Sequence, residues 1–262
     1  MNWRSFKTFA GMTLLTCIQP VYSGTMGMNN IQDAWFLSID GGIQQPMKFD
    51  TIYVNNGSGF IFPYNRDVYA TNKRIHGILG ATFGYRWACE ESDWFPAYSL
   101  GLRLQRIFSG NAGDTVSQYT PPPSLFTNYN YNLDTSSNVV LAAGKLNIYQ
   151  YYDFMPYISA GFGMAFNHVS NFTETVRPNG IVTPRISPAF TSDNQHEFAY
   201  TLGIGFDYQV NDQVLVSLGY EFQDLGNMSS GYGLNLWSGQ YLNLGSYRAN
   251  SLLLGGTYLF DC

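Results

Sequence analysis

The stretch Ser251-Leu-Leu-Leu-Gly-Gly-Thr-Tyr-Leu-Phe260 decides how the rest of the chain is read. Every second position from Leu252 is apolar or small: Leu252, Leu254, Gly256, Tyr258 and Phe260. The intervening set, Ser251, Leu253, Gly255, Thr257 and Leu259, is smaller and more mixed. A period of two means a strand with two unlike faces. A strand at the end of a chain still has two hydrogen-bonding edges. If its second neighbour is the first strand of the same chain, the sheet closes on itself and no edge stays open.

Working back from that strand, seven more segments show the same alternation. They are Ala34–Gln44, Arg74–Trp87, Trp94–Ser109, Asn138–Tyr151, Met155–Phe166, Glu197–Gln209 and Val214–Gln223. The sixth is the clearest: Phe198, Tyr200, Leu202, Ile204, Phe206 and Tyr208 alternate with Ala199, Thr201, Gly203, Gly205 and Asp207. The connections alternate strictly between long and short. Four polar segments, Gln45–Lys73, Gly110–Ser137, Asn167–His196 and Asp224–Tyr247, alternate with the turns Ala88–Asp93, Tyr152–Phe154 and Val210–Gln213. Outer-membrane barrels have short turns on the periplasmic side and long loops outside. A tilted strand needs roughly 9–11 residues to span, and each segment is long enough. The expected fold is therefore all-β: an eight-stranded antiparallel up-and-down transmembrane β-barrel over residues 34–262, with both termini periplasmic and four long external loops. A soluble β-sandwich would wet and charge the polar face of each strand. Here the faces opposite the apolar band are Gly, Ser, Thr and a few charges.

Composition agrees. The 262 residues are only 12% charged but 17% aromatic, with 20 Tyr, 19 Phe and 27 Gly. No run beyond the N-terminal segment approaches the ~18 apolar residues of a helical span. Arg4 and Lys7, the apolar Phe9–Ile18 and the small residues of Val21-Tyr-Ser23 have the order of a secretory signal peptide. Residues 1–23 are expected to be removed, leaving 24–33 as a periplasmic leader. A lipoprotein reading through Cys17 is disfavoured by Thr16 before it. Cleavage takes two of the 13 basic residues and none of the 18 acidic ones, leaving a net charge of −7. That charge argues against a nucleic-acid partner.

Six charged residues fall on the inward faces: Asp40, Arg86, Arg103, Lys145, Asp207 and Glu221. Buried charge is costly unless paired, so this cluster is expected either to fill the barrel as an ion-paired plug or to line a narrow, gated channel. Cys89 sits in the first short turn and Cys262 at the terminus on the same side. Two cysteines in an exported chain suggest a pair. Their strand ends are two strand spacings apart, roughly 10 Å, against a Cα limit of about 7 Å for a disulfide. The turn and tail would have to supply the difference, and the pairing is left open. His76 and His196, isolated near strand ends, are read as rim residues, and no metal or cofactor is expected. Arg74 and Arg106, also near the outer rim, either meet lipopolysaccharide phosphates or are ordinary snorkelling arginines. The long segments, for example Asn128-Tyr-Asn-Tyr131 and Ser229-Ser-Gly-Tyr-Gly233, offer adaptable polar contacts with aromatic anchors. They suit a host or cell-surface ligand, or a passive hydrated canopy.

The whole pattern resembles the small outer-membrane barrels of the opacity-protein and OmpA-like group. Pro156-Tyr-Ile-Ser-Ala-Gly-Phe-Gly163, Leu218-Gly-Tyr-Glu-Phe222 and Gly255-Gly-Thr-Tyr-Leu-Phe260 carry the likeness, which covers residues about 34–260. Within the last of these, Gly255, Tyr258 and Phe260 resemble the terminal signal read by the barrel-assembly machinery, although Asp261 and Cys262 follow. The resemblance implies architecture more than activity, because the group includes adhesins, structural anchors and narrow pores. No peptidoglycan-binding domain follows the barrel, so that kind of anchoring is not expected. His168-Val-Ser170-Asn171 is somewhat similar to the His-x-Ser-Asn motif of outer-membrane lipid A deacylases. That motif precedes the final strand in the deacylases, whereas three strands follow it here, and only Glu174 lies near as a carboxylate. The expected function is surface interaction or envelope structure without a catalytic centre. A solute channel and a deacylase-type esterase are the alternatives.

Overall fold

A computed structural model describes residues 33–260 apart from 48, 50, 58, 63, 73, 90–92, 119–126 and 179–188. The signal and leader expected over residues 1–32, and the end of the chain at Asp261 and Cys262, lie outside the described residues.

Eight long strands form a ring: β1 (Ala34–Pro46), β4 (His76–Ala88), β5 (Trp94–Asn111), β7 (Thr127–Tyr149), β8 (Phe154–Val176), β9 (Asp193–Asn211), β10 (Val214–Ser229) and β11 (Asn243–Phe260). Each is antiparallel to the next, and β1 pairs with β11 from Trp35↔Phe260 to Pro46↔Ala249, so the sheet closes. The fold is the all-β, eight-stranded up-and-down barrel that the alternation requires. Short turns lie at one end, with the outer ends of β1 and β11; long connections lie at the other. In the tightest turn Asn211 Oδ1 accepts the Gln213 backbone N–H at 2.9 Å, closing an Asx turn.

The alternation assigns the faces correctly. Ile39, Phe83, Leu100, Leu102, Leu104, Phe162, Phe198, Leu202, Ile204, Leu252 and Leu254 stand on the outside as an exposed apolar band. The intervening positions point inward. Gly42 shows why some of these are glycine: a Cβ there would lie 1.9 Å from the Leu252 carbonyl oxygen, inside the closing seam.

The strands run further than the alternation marks. β7 and β8 are each 23 residues long and stay paired up to Tyr129↔Val176, well past the apolar band. Three further strands come from the long connections. β2 (Ile52–Asn55) and β3 (Arg66–Tyr69) make a hairpin; β3 pairs with β6 (Thr115–Ser117), which pairs with β7. A 3-10 turn at Asn235–Trp237 completes this cap. The first two long segments are therefore partly sheet, not a loose polar canopy. Their apolar residues, scattered at sequence level, converge. Val54, Tyr69, Val116, Tyr129, Tyr131, Leu133, Phe190, Trp237 and Leu244 are all buried and belong to one core with Ile78, Ile107, Val139 and Leu141 of the barrel. Tyr69 meets the Tyr131 ring edge-on, centroids 5.1 Å apart, and the Phe190 ring at 6.2 Å. Burial, with Asp114 nearby, pushes the Tyr131 hydroxyl above the usual phenol range. Leu133→Ala is expected to cost about 2–5 kcal/mol, felt in the cap first. Limited proteolysis should nick the cap while the barrel keeps its unheated gel mobility. Equal protease resistance would contradict the packing.

Candidate functional site

The inside of the barrel is layered. Nearest the turn end, Asp207 is fully buried on β9. Its carboxylate accepts from Lys145 Nζ on β7 at 2.9–3.0 Å, from Asn147 Nδ2 at 2.9 Å and from Ser217 Oγ at 2.7 Å. The Lys145 ammonium also lies 4.8 Å over the Tyr157 ring. Arg86, only 4% exposed, directs Nη2 at Met155 Sδ, 3.6 Å away. Above this, Arg103 of β5 bridges two carboxylates: Nη2 meets Asp40 Oδ2 at 2.9 Å and Nη1 meets Glu221 Oε2 at 2.6 Å. All three are largely buried, and β1, β5 and β10 supply one each. The six charges thus resolve into an Asp40–Arg103–Glu221 triad and a Lys145–Asp207 pair with Arg86 nearby. Around them lies a cavity of about 110 Å³, reached by Ser38, Ser99, Tyr157 and Thr257 as well as the charged groups. That is room for several waters.

An amide layer follows. Gln223 Nε2 donates to Glu221 Oε1 at 2.6 Å and to Gln105 Oε1 at 3.0 Å. Gln44 Nε2 donates to Gln223 Oε1 at 2.6 Å, and Tyr247 Oη donates to Gln44 Oε1 at 2.8 Å. Beyond it comes the apolar core shared with the cap. Charged, amide and apolar layers therefore succeed one another from the turn end to the loop end. Sequence parity identified the charged members. It missed Tyr157, Asn147 and Ser217 as their partners, and it missed the amide layer, although Gln44, Gln105 and Gln223 all have inward parity.

The top of the cap has a different character. The β2–β3 hairpin carries Phe60, Ile61 and Phe62 at its tip, with Ile61 81% and Phe62 68% exposed. Arg66 stacks its guanidinium 4.9 Å from the Phe62 ring centre. The hairpin leans on the last long connection: Asn55 N–H donates to Gln240 Oε1 at 3.4 Å, and Gly57 abuts Leu236, which is itself 67% exposed. Leu234, Tyr232 and Tyr241 are exposed beside it. These residues form an apolar crest at the end farthest from the short turns. Sequence reading passed over it, although Phe60-Ile-Phe62 is a visible apolar run inside a polar segment.

On the outer wall, just above the apolar band, the register lines up Arg106, Asn138, Phe166 and His196 across β5, β7, β8 and β9. His168 stands one row higher, its Nδ1 2.7 Å from Asn194 Oδ1. The ring is thus held by an amide on the next strand. The nearby Asp134 carboxylate is taken by Asn171 Nδ2 at 2.9 Å. Ser170 pairs with Asp134 in the register. The His–carboxylate relay a deacylase needs is not formed by these contacts. Among the described residues no group of three or more His, Cys, Asp or Glu could hold a metal.

His76 lies inside the rim, its Nδ1 3.2 Å from the Phe108 carbonyl oxygen. Cys89 is exposed at the first short turn; its candidate partner Cys262 is outside the described residues. At the closing strand Gly255 packs against Asp40, and the Tyr258 and Phe260 rings meet at 5.1 Å on the outside.

The chain is 30% identical over 199 residues to outer membrane protein PagN of Salmonella typhimurium, a match spanning 71% of this chain and 75% of that protein. No family model matches. Among solved structures, the outer membrane protein OprG of Pseudomonas aeruginosa covers 89% of this chain and 99% of its own, at 15% identity and a TM-score of 0.48. Neisserial surface protein A covers 86% of this chain and 97% of its own, at 13% identity and a TM-score of 0.43.

Proposed function

From the premise that the chain belongs to the family of outer membrane protein PagN, and is an integral outer-membrane barrel, we propose that it is a surface-interaction protein. In this reading the barrel is an anchor and the cap crest is the binding element. The loop end faces the cell exterior and both termini face the periplasm, as expected of a chain with short turns on one side only. The observation that carries the reading is the crest. Phe60, Ile61 and Phe62 are held exposed on a built hairpin, braced by Leu236 and Gln240, at the loop end of the barrel. Contiguous exposed apolar groups rimmed by polar ones mark interaction sites.

The kind of ligand follows from charge. The four long segments carry five basic and seven acidic residues, so they offer no positive field to a sulfated glycan or an anionic membrane. A protein surface with an apolar recess fits better. The stacked layers support an anchor over a solute channel, because a conducting path would have to cross both the ion-paired layer and the apolar core above it. The test is adhesion of bacteria displaying the parent or an Ile61→Ser/Phe62→Ser variant to host cells, with and without prior protease treatment of the cells. Adhesion that falls in the variant and on treated cells supports the proposal. A variant that adheres like the parent, with equal surface display, overturns it.

A further inference from the structure

The crest does not account for the polar row on the outer wall. Below it, the outward side chains Leu104, Met164 and Phe198 are exposed and apolar. One strand step further along the same face the outward residues become Arg106, Phe166 and His196, with His168 and Asn194 in the row above. These residues line one open groove of about 450 Å³, within the size range of small-molecule sites. The change from apolar to polar marks the level where hydrocarbon gives way to headgroups, and outside the short-turn end that means the outer leaflet.

The chemistry of the groove is that of an anion with hydroxyl neighbours. Arg106 gives one N–H of Nη1 to Asn138 Oδ1 at 2.8 Å, which fixes the guanidinium against the wall. A guanidinium has five N–H donors, so the rest of the fork is left for a ligand and suits a phosphate bidentately. Asn194 Oδ1 is an acceptor, so His168 Nδ1 donates to it, and Nε2 is the ring's second polar atom. His196 stands edge-on to Phe166, centroids 5.0 Å apart, which orients its ring. The neighbouring carboxylates are engaged by amides, Asp134 by Asn171 Nδ2 at 2.9 Å and Asp193 by Gln195 Nε2 at 3.2 Å. The groove thus offers one oriented cation, two positioned imidazoles and two amides beside an apolar wall that can take an acyl chain.

We propose that this outer-wall groove binds the phosphorylated sugar headgroup of an outer-leaflet glycolipid, with Arg106 on the phosphate and His168 and His196 on phosphate or sugar hydroxyls. The site is distinct from the crest, and neither depends on the other. It is tested on the refolded barrel by native mass spectrometry in detergent, with bisphosphorylated lipid A, its dephosphorylated form and inorganic phosphate as probes. The parent should retain lipid A and lose the dephosphorylated form. Arg106→Gln/His196→Gln should bind about tenfold more weakly, the loss expected of charge-assisted hydrogen bonds, and Arg106→Lys should recover part of it. Both variants alter exposed side chains, and unheated gel mobility checks that they fold. Equal retention of both lipid forms, or of lipid A by parent and Gln variant, overturns the proposal. Inorganic phosphate competing at the concentration of lipid A would also overturn it, by showing a site for soluble anions only.

Discussion

Arg103→Ala is expected to destabilise the barrel by about 3–5 kcal/mol, the usual result of removing one partner from a buried ion pair. The substitution leaves Asp40 and Glu221 facing each other inside a narrow lumen with their shared cation gone. Of the other two cations in the lumen, Lys145 is already held by Asp207 and Arg86 is directed at Met155 Sδ. The measurement is the urea midpoint of the refolded protein in vesicles. The cost comes from unpaired carboxylates, not from lost packing, so adding Asp40→Asn and Glu221→Gln to Arg103→Met should recover most of it. A single variant within about 1 kcal/mol of the parent would mean that water already screens the triad. Planar-bilayer recordings on the same samples should show no steady conductance for parent or variant, since the amide and apolar layers remain above the triad. Persistent openings in the parent would replace the anchor reading with a channel.

The second large effect is expected at the closing seam. Gly42 faces Leu253 across β1 and β11, and any Cβ there meets the Leu252 carbonyl oxygen at 1.9 Å and the Leu253 Cα at 3.1 Å. Those are backbone atoms, which cannot rotate aside as a side-chain end would. Gly42→Val must therefore separate the two strands that close the ring. Overpacking costs about 1–3 kcal/mol and occasionally more, and at the seam the loss falls on the step that removes the last open edge. The folded fraction read from unheated gel mobility should drop sharply. Gly256 on the same seam is the control. It faces outward, and a Cβ added there would meet nothing within 4 Å, so Gly256→Ala should stay within about 0.5 kcal/mol of the parent. If the two substitutions behave alike, close approach is not what the inward glycine supplies.

What the amino-acid order determined was everything that depends on a period of two: the eight barrel strands, the closing pair, and which side chains face out and which face in. Alternation has only two phases, so Leu100, Leu102 and Leu104 on one face place Arg103 on the other. The placement holds however the strands pair. Partners were a different matter. Whether Arg103 meets Asp40 and Glu221 or Lys145's neighbour Asp207 depends on the stagger of strands far apart in the chain, 63 and 118 residues for the Arg103 contacts. A hydrophobicity pattern does not encode that stagger. The cap was hidden for a related reason. Val54, Tyr69, Val116 and Leu244 sit in short runs among Asn, Gly and Ser, and none has a period of its own. They become a core only when β2, β3 and β6 stack on the far end of β7. The crest and the outer-wall groove likewise exist only because distant segments are brought to one level. Local side-chain rhythm set the barrel, and long-range register set its sites.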